Sequence, residues 1–516
     1  MESVVSGSEE AFSAPRRLPA RERVVVIGAG FGGLAAALRL QTAGFAVTVV
    51  EARAQPGGRA SQFKSQGYTF DMGPTLLTLP HLLEELWQLA GRDMHEDLEL
   101  VELSPFYRLL LREGRVFDAW GKPGQDEEEI ARFSPRDVLG YRAFLAETQR
   151  IYERAFVDLA RQPFLSASMM VRVLPELLQA RAHRSVYSFV SRYFKNPDLR
   201  MVFSFHPLFI GGNPFRASAI YSIVPYLERL GGVHFARGGM YQVIEGLVRL
   251  LREAGGEIRY GTPVERILVQ NRRVRGVRLQ DETELEAQIV VANSDVAQTY
   301  LHLVPPEYRS PLATLRLKRA RYSMSCFLLY LGLNRQYPHL RHHTILMPER
   351  YRELIAEIFD GQGLSSDLAL YLHTPTRTDP TLAPPGGESL YVLAPVPHLG
   401  HGVDWQREAA AFRERILKTL ETEAGLTGLT ESIVVERQFT PLDFASDLRS
   451  HLGAAFSIEP TLMQSAYFRP HNRSGSLGGL YVVGAGTHPG AGIPGVLLSA
   501  EVTSRLVQRD ARSGRK

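Results

Sequence analysis

Val24-Val25-Val26-Ile27, then Gly28-Ala29-Gly30-Phe31-Gly32-Gly33, then Leu34, Ala37, Leu38 and Gln41 at helical spacing, is the stretch whose reading decides the fold. The β-branched run reads as a strand buried on both faces. Gly44 is placed to end the following helix in a left-handed cap, and Ala46–Val50 reads as a second strand that delivers Glu51. Gly28 permits the tight strand-to-helix turn, Gly30 lets the backbone approach a pyrophosphate, and Gly33 lets helix and strand pack closely. The helix N-terminus offers unpaired N–H groups and a positive dipole end to the phosphates. Glu51, 23 residues after Gly28, is placed to accept hydrogen bonds from both ribose hydroxyls and to repel a 2′-phosphate, which disfavours NADP. Strand, helix, strand and terminal acid in that order point to dinucleotide binding rather than to a glycine-rich packing turn.

The rest of the chain is compatible with such a fold. At 516 residues it exceeds what one hydrophobic core usually serves, so two lobes built from interleaved segments are expected. The composition, 44% hydrophobic and 22% charged, excludes a disordered or collagen-like chain. The net charge of +4 is spread along the chain, which permits an anionic surface as partner and gives no footprint for nucleic acid. A single cysteine, Cys326, excludes intramolecular disulfides, zinc ribbons and Cys-x-x-Cys redox pairs, and fits a reducing cytoplasm. Residues 1–22 read as a flexible extension without the apolar core of a secretory signal. The most apolar runs, 24–38 and 323–333, fall short of the roughly 18–20 residues a spanning helix needs.

Downstream lies a second set of signals. Glu51-x-Arg53 followed by Gly57-Gly58-Arg59 resembles the second signature of the FAD-dependent amine oxidase and desaturase superfamily. Near the C-terminus, residues 480–483 read as a buried strand and Gly484-Ala485-Gly486 as a tight turn. His488-Pro489-Gly490-Ala491-Gly492-Ile493-Pro494-Gly495 then opens a helix through Val496, Leu497, Ala500 and Val502. A helix N-terminus stabilises negative charge of the kind a reduced flavin carries, which gives this segment a reason to face the isoalloxazine ring.

From Arg23 to about Arg505 the chain resembles the bacterial and fungal-type phytoene desaturases. The resemblance rests on 26–34 and 56–60, on Phe70-Asp71-Met72-Gly73-Pro74-Thr75, and on Pro105-Phe106-Tyr107-Arg108-Leu109. It continues through Phe203-Ser204-Phe205-His206, Gly211-Gly212-Asn213-Pro214-Phe215, 394–400 and the terminal signature 483–496. It implies an FAD enzyme that dehydrogenates a C40 polyene, phytoene, stepwise towards lycopene, with a quinone or oxygen as electron acceptor. It implies a cytoplasmic protein lying peripherally on the membrane that holds its substrate. The fold expected is α/β, a Rossmann-type FAD domain from residues 23–105, 237–309 and 465–516 with an α+β substrate domain from 106–236 and 310–464. Beside Gly28, Gly30, Gly33 and Glu51, the FAD contacts expected are Gly58, Arg59, Gly73, Pro74, Val264, Asn293, Gly486, Gly492, Ile493, Gly495 and Val496. A homo-oligomer is compatible with the sequence.

Within the expected FAD block, Met240, Ile244, Leu247, Val248 and Leu251 form a helical stripe ending at Gly255-Gly256, followed by strands at 264–269, 274–279 and 289–292. In the substrate lobe, 161–195 is both apolar and cationic, with six basic residues against Glu176, and reads as an interfacial helix pair for anionic headgroups. Phe203, Phe205, Leu208, Phe209 and Ile210 are candidates to line a hydrocarbon tunnel. Asp71, His206 and His488 are the candidate proton handlers, each with a plain structural alternative; for Asp71 that is capping the Gly73-Pro74 turn. His342-His343 and the His398/His401 pair read as surface or hydrogen-bonded histidines, so no metal is expected. Three other readings stay open: an amine oxidase on the same fold, a non-redox carotene cis–trans isomerase, and a non-catalytic prenyl- or lipid-binding protein.

Overall fold

The computed structural model describes residues 22–361 and 363–514, leaving aside the side chains of residues 155 and 158. The extension expected over 1–22 therefore lies outside the described residues, apart from Glu22.

Arg23–Ile27 is the middle of a five-stranded sheet in the order Glu257–Arg259, Ala46–Val50, Arg23–Ile27, Ile289–Ala292, Leu480–Val482. All four pairings are parallel, with Val26 opposite Val49 on one side and Val291 on the other. A strand paired on both edges and covered on both faces has no polar side, and Val24 to Ile27 are buried accordingly. The helix Phe31–Thr42 packs against the C-terminal helix Ile493–Arg512 and against Tyr241–Glu253, the predicted Ile244–Leu247–Leu251 stripe facing inward. Gly44 closes the first helix at φ +98°, as its place in the sequence predicts. Val264–Gln270 and Arg273–Leu279 form an antiparallel hairpin.

A second sheet has seven strands, ordered Ile433–Phe439, Ser325–Leu333, Glu388–Val396, Leu370–His373, His343–Leu346, Tyr107–Leu110, Val116–Ala119. Only the pairing of His343–Leu346 with Tyr107–Leu110 is parallel. The apolar run 323–333 contains the strand Ser325–Leu333, which is buried at every position. The architecture is α/β, as expected, and no helix among the described residues is long and apolar enough to cross a membrane.

The segment 161–195 departs from the expected helix pair. Ala167–Gln179 is a helix with Val171, Leu174 and Leu178 exposed at 71, 49 and 57%. The second half is core: Val186, Phe189, Val190 and Phe194 are buried, and Phe194 stacks on Phe203. Arg161, read from the sequence as a headgroup cation, instead pairs with Glu85 and Glu501 at 2.8 Å each. Composition alone does not separate the two halves; tertiary contacts do.

Candidate active site

The glycine-rich turn is built as its sequence requires. Gly28 has φ +96° and its N–H donates to the Val50 carbonyl at 2.8 Å, hooking the turn to the second strand. A Cβ on Gly33 would lie 2.0 Å from the Gly28 carbonyl oxygen, so only glycine lets helix and strand meet here. Gly30 is the N-cap of the first helix and supplies no side-chain cap, which leaves the terminal N–H groups free for a ligand. The Glu51 carboxylate is aimed by two backbone donors, Ala29 N–H at 2.7 Å and Arg53 N–H at 3.0 Å.

The second signature is tied to the first. Gly57 N–H donates to the Ala29 carbonyl at 2.8 Å, and the Arg53 guanidinium holds the turn by donating to the Gly58 carbonyl and Ser61 Oγ, both at 3.0 Å. Arg59 donates to Ser450 Oγ at 2.7 Å, but its Nε is buried without a partner. Burial pulls its guanidinium below the ordinary value, with Asp295 partly offsetting the shift. Such a cation, lacking a hydrogen-bonded carboxylate, is short of an anion. Gly73 packs on the Arg59 backbone, where a Cβ would meet the Arg59 carbonyl oxygen at 2.0 Å.

The C-terminal half-site faces the same space. Gly492, at φ +93°, is the N-cap of Ile493–Arg512 and again provides no side-chain cap. Asn293 sits between the two halves: its amide donates to the Gly28 carbonyl at 3.4 Å, and its side chain lies where a Cβ on Gly32, Gly33 or Gly484 would collide. In the fold the Asn293 side chain thus braces both glycine turns.

One cavity of about 610 Å³ runs through all of this. It is lined by Gly28, Gly30, Glu51, Gly58, Arg59, Gly73, Pro74, Val264, Asn293, Gly486, Gly492, Ile493, Gly495 and Val496. Gly33 lies behind the lining as packing. The cavity continues past Phe205, Leu208, Phe209 and Ile210 to Met170, Val173 and Leu177 on the partly exposed helix. Phe203, the fifth tunnel candidate, is not in the lining and stacks in the core instead. A long apolar space opening from two uncapped helix N-termini and a buried arginine fits an elongated dinucleotide with a hydrocarbon beside it.

Comparison with known proteins agrees. Residues 31–508 match the flavin containing amine oxidoreductase family. A phytoene desaturase (lycopene-forming) from Paracoccus sp. is 47% identical over 496 residues, 96% of this chain and 99% of the relative. One from Pseudescherichia vulneris is 48% identical over 490 residues, 95% and 99% of the two chains. The chain belongs to the phytoene desaturase family. Among solved structures, an oxidoreductase from Methanosarcina mazei superposes with a TM-score of 0.61 at 18% identity, covering 94% of this chain and all of that one; this likeness concerns the fold.

Within this phytoene desaturase family member, the proton-handler candidates are placed as follows. Asp71 is outside the cavity lining: it accepts from Met240 N–H at 2.7 Å, Tyr241 N–H at 3.3 Å and Gln62 Nε2 at 3.1 Å, and so caps the helix Tyr241–Glu253 rather than the Gly73-Pro74 turn. Burial raises its carboxyl to about 6, the three donors opposing. His206 is also outside the lining, with Nε2 2.7 Å from Tyr107 Oη and 3.6 Å from Glu228 Oε2. His488 is in the lining, but its Nε2 is held 3.4 Å from the Leu159 carbonyl and burial lowers its pKa to about 4, so it is neutral near pH 7.

Two lining residues escaped the sequence reading. Glu228 is a buried carboxylate in the apolar part, accepting from Tyr107 Oη at 2.9 Å. Tyr371 pairs with Thr75 Oγ1 at 2.5 Å and with His343 Nδ1 at 2.7 Å. Nothing local marks either: a glutamate beside Arg229 on a helix reads as solvated, and its burial follows from Tyr107 and His206, distant in sequence.

Proposed function

We infer that the chain is an FAD-dependent carotenoid desaturase that dehydrogenates phytoene stepwise towards lycopene. The observation that carries this reading is the single cavity joining the two uncapped helix N-termini to an apolar channel that ends on an exposed helix. Glu51 would hold the adenosine ribose, Arg59 and the helix at Gly30 the pyrophosphate, and Gly492, Ile493 and Val496 the ring system. FAD, when bound, supplies a two-electron oxidant for the allylic C–H bond, chemistry that protein side chains lack. The chain's own residues position the polyene. Phe205, Leu208, Phe209 and Ile210 fix it against the Gly492 turn, where Ile210 Cγ2 would lie 3.3 Å from a Cβ on Gly492. The apolar lining excludes water. Charge developing at an allylic carbon is spread over the conjugated chain, so no strong protein base is required. The division into a cofactor lobe and a substrate lobe at the boundaries given above is part of this proposal, supported by the distribution of strands between the two sheets.

The substrate is insoluble, and we place its source at a membrane surface. Val171, Leu174 and Leu178 are exposed on a helix that rests on Ala466–Phe468; Met463 is exposed just before that segment, and Leu312 and Leu315 are exposed on the helix Pro311–Arg319, whose Arg316 donates to the Phe468 carbonyl. Leu462, Ser465 and Ala466 line the cavity, so the apolar patch surrounds a route into it. Arg172 and Arg184 are exposed beside it for anionic headgroups. A quinone dissolved in the same membrane, or oxygen, would take the electrons.

Expression in cells that accumulate phytoene tests the reading. Red lycopene is the expected pigment. Colourless cells containing folded, FAD-loaded protein would refute the substrate assignment, and a purified protein without flavin would refute the cofactor site.

A further inference from the structure

We propose that His342, His343 and His373 form a binding site for a late transition-metal ion of the zinc class. His343 and His373 stand opposite one another on adjacent antiparallel strands, and His342 immediately precedes the first of them. All three are buried, and one ring nitrogen from each lies within 4.8 Å of those of the other two. His342 Nε2 and His373 Nε2 are 3.1 Å apart. Tetrahedral zinc with Zn–N of about 2.0–2.1 Å places its ligand nitrogens roughly 3.3 Å apart, so this pair already has the spacing and the third ring needs only a modest shift.

The outer nitrogens are arranged as metal-binding histidines require. His342 Nδ1 is 2.6 Å from Thr378 Oγ1, and His343 Nδ1 is 2.7 Å from Tyr371 Oη. Those hydroxyls fix each ring's orientation and leave the far nitrogen pointing inward. His343 Nε2 is the atom a plain hydrogen-bond network does not explain, because it is buried and has no partner. A cation shared by the three rings satisfies it. The donor set is nitrogen alone, which suits zinc-class ions and not calcium or magnesium. An ion here would staple the strands His343–Leu346 and Leu370–His373, and with them Tyr371, which lines the cavity. The site is independent of the desaturase assignment.

The test uses full-length, FAD-loaded protein incubated with zinc sulfate, desalted and analysed for metal by mass spectrometry. About one zinc per chain is expected, as one His₃ site holds one ion. Cobalt(II) in its place should give tetrahedral ligand-field bands to the red of the flavin absorption, abolished by added zinc. His373→Ala should lose the metal while the exposed His95→Ala retains it. Thr378→Val, which removes only the hydroxyl behind His342, should weaken zinc binding about tenfold. Should His373→Ala fail to fold, the cobalt spectrum of the parent and the Thr378→Val affinity decide. Parent protein that retains no zinc and shows no cobalt bands overturns the proposal, as does zinc retained unchanged in folded His373→Ala.

Discussion

Gly33→Ala should cripple flavin binding although Gly33 does not face the cavity. The new Cβ would stand 2.0 Å from the Gly28 carbonyl oxygen. A carbon and a carbonyl oxygen approach no closer than about 3.3 Å, so backbone must move by more than an ångström. The displacement falls on the turn, and it strains the bonds that hold Gly28 there, its N–H to Val50 at 2.8 Å and its carbonyl to Asn293 at 3.4 Å. Overpacking of this kind costs about 1–3 kcal/mol, and here the strain falls on the turn proposed to hold the pyrophosphate. FAD affinity should therefore fall about ten- to hundredfold, each factor of ten being about 1.4 kcal/mol. Gly124→Ala is the internal control. Gly124 lies in the helix Pro123–Phe133, outside the cavity lining, with no atom within 4 Å of its Cβ. Its effect on FAD affinity should stay below about 0.5 kcal/mol. Titrating each apoprotein with FAD by flavin fluorescence measures both. Affinity in Gly33→Ala equal to the parent's, or an equal loss in Gly124→Ala, would refute the reasoning from backbone contact.

Three further outcomes are expected. His488 is held at about 4 against an ordinary 6.5, so the unfolded chain takes up its proton first as pH falls; the stability it contributes is whole above about pH 6.5 and lost by about pH 4. About 3 kcal/mol is at stake, and the fall of thermal midpoint between pH 7 and 4.5 should be shallower in His488→Gln; parallel curves would exclude a buried neutral histidine. Tyr107→Phe removes the hydroxyl shared by Glu228 and His206, leaving two buried polar groups unpaired, and should destabilise by about 2–4 kcal/mol in denaturant unfolding while FAD stoichiometry stays at the parent's value. The triple change Val171→Glu, Leu174→Glu and Leu178→Glu alters only exposed positions, so stability should hold within about 0.5 kcal/mol per site while flotation with anionic vesicles is lost; undiminished flotation would move the membrane face elsewhere.

The features legible in the sequence were those whose cause is local. A β-branched run, a glycine that must take positive φ and an acid at the end of the next strand each act within a few residues, so Gly28, Gly44 and Glu51 could be assigned from spacing. Features that depend on distant contacts were not legible. Asp71 caps a helix beginning at Tyr241, so its partner donors lie far along the chain. His342 and His343 acquire their setting from His373 and Tyr371 on the next strand. The two halves of 161–195 share composition, yet one is exposed and the other buried, because only the second is covered by the aromatic cluster of Phe144, Phe194 and Phe203.

The strand order explains why the two ends of a long chain make one site. Leu480–Val482 pairs with Ile289–Ala292, which pairs with Arg23–Ile27, so the helices leaving the first and last strands lie side by side. In a parallel sheet both helices begin at the carboxyl edge, and both then point bare N–H groups into the same crevice. Asn293, just past the end of the strand between them, reaches both glycine turns with one side chain, against Gly28 and Gly484. The geometry of the cradle is thereby set by strand order and a handful of small residues. The long segments inserted between those strands are left free to shape the apolar channel without disturbing the cradle.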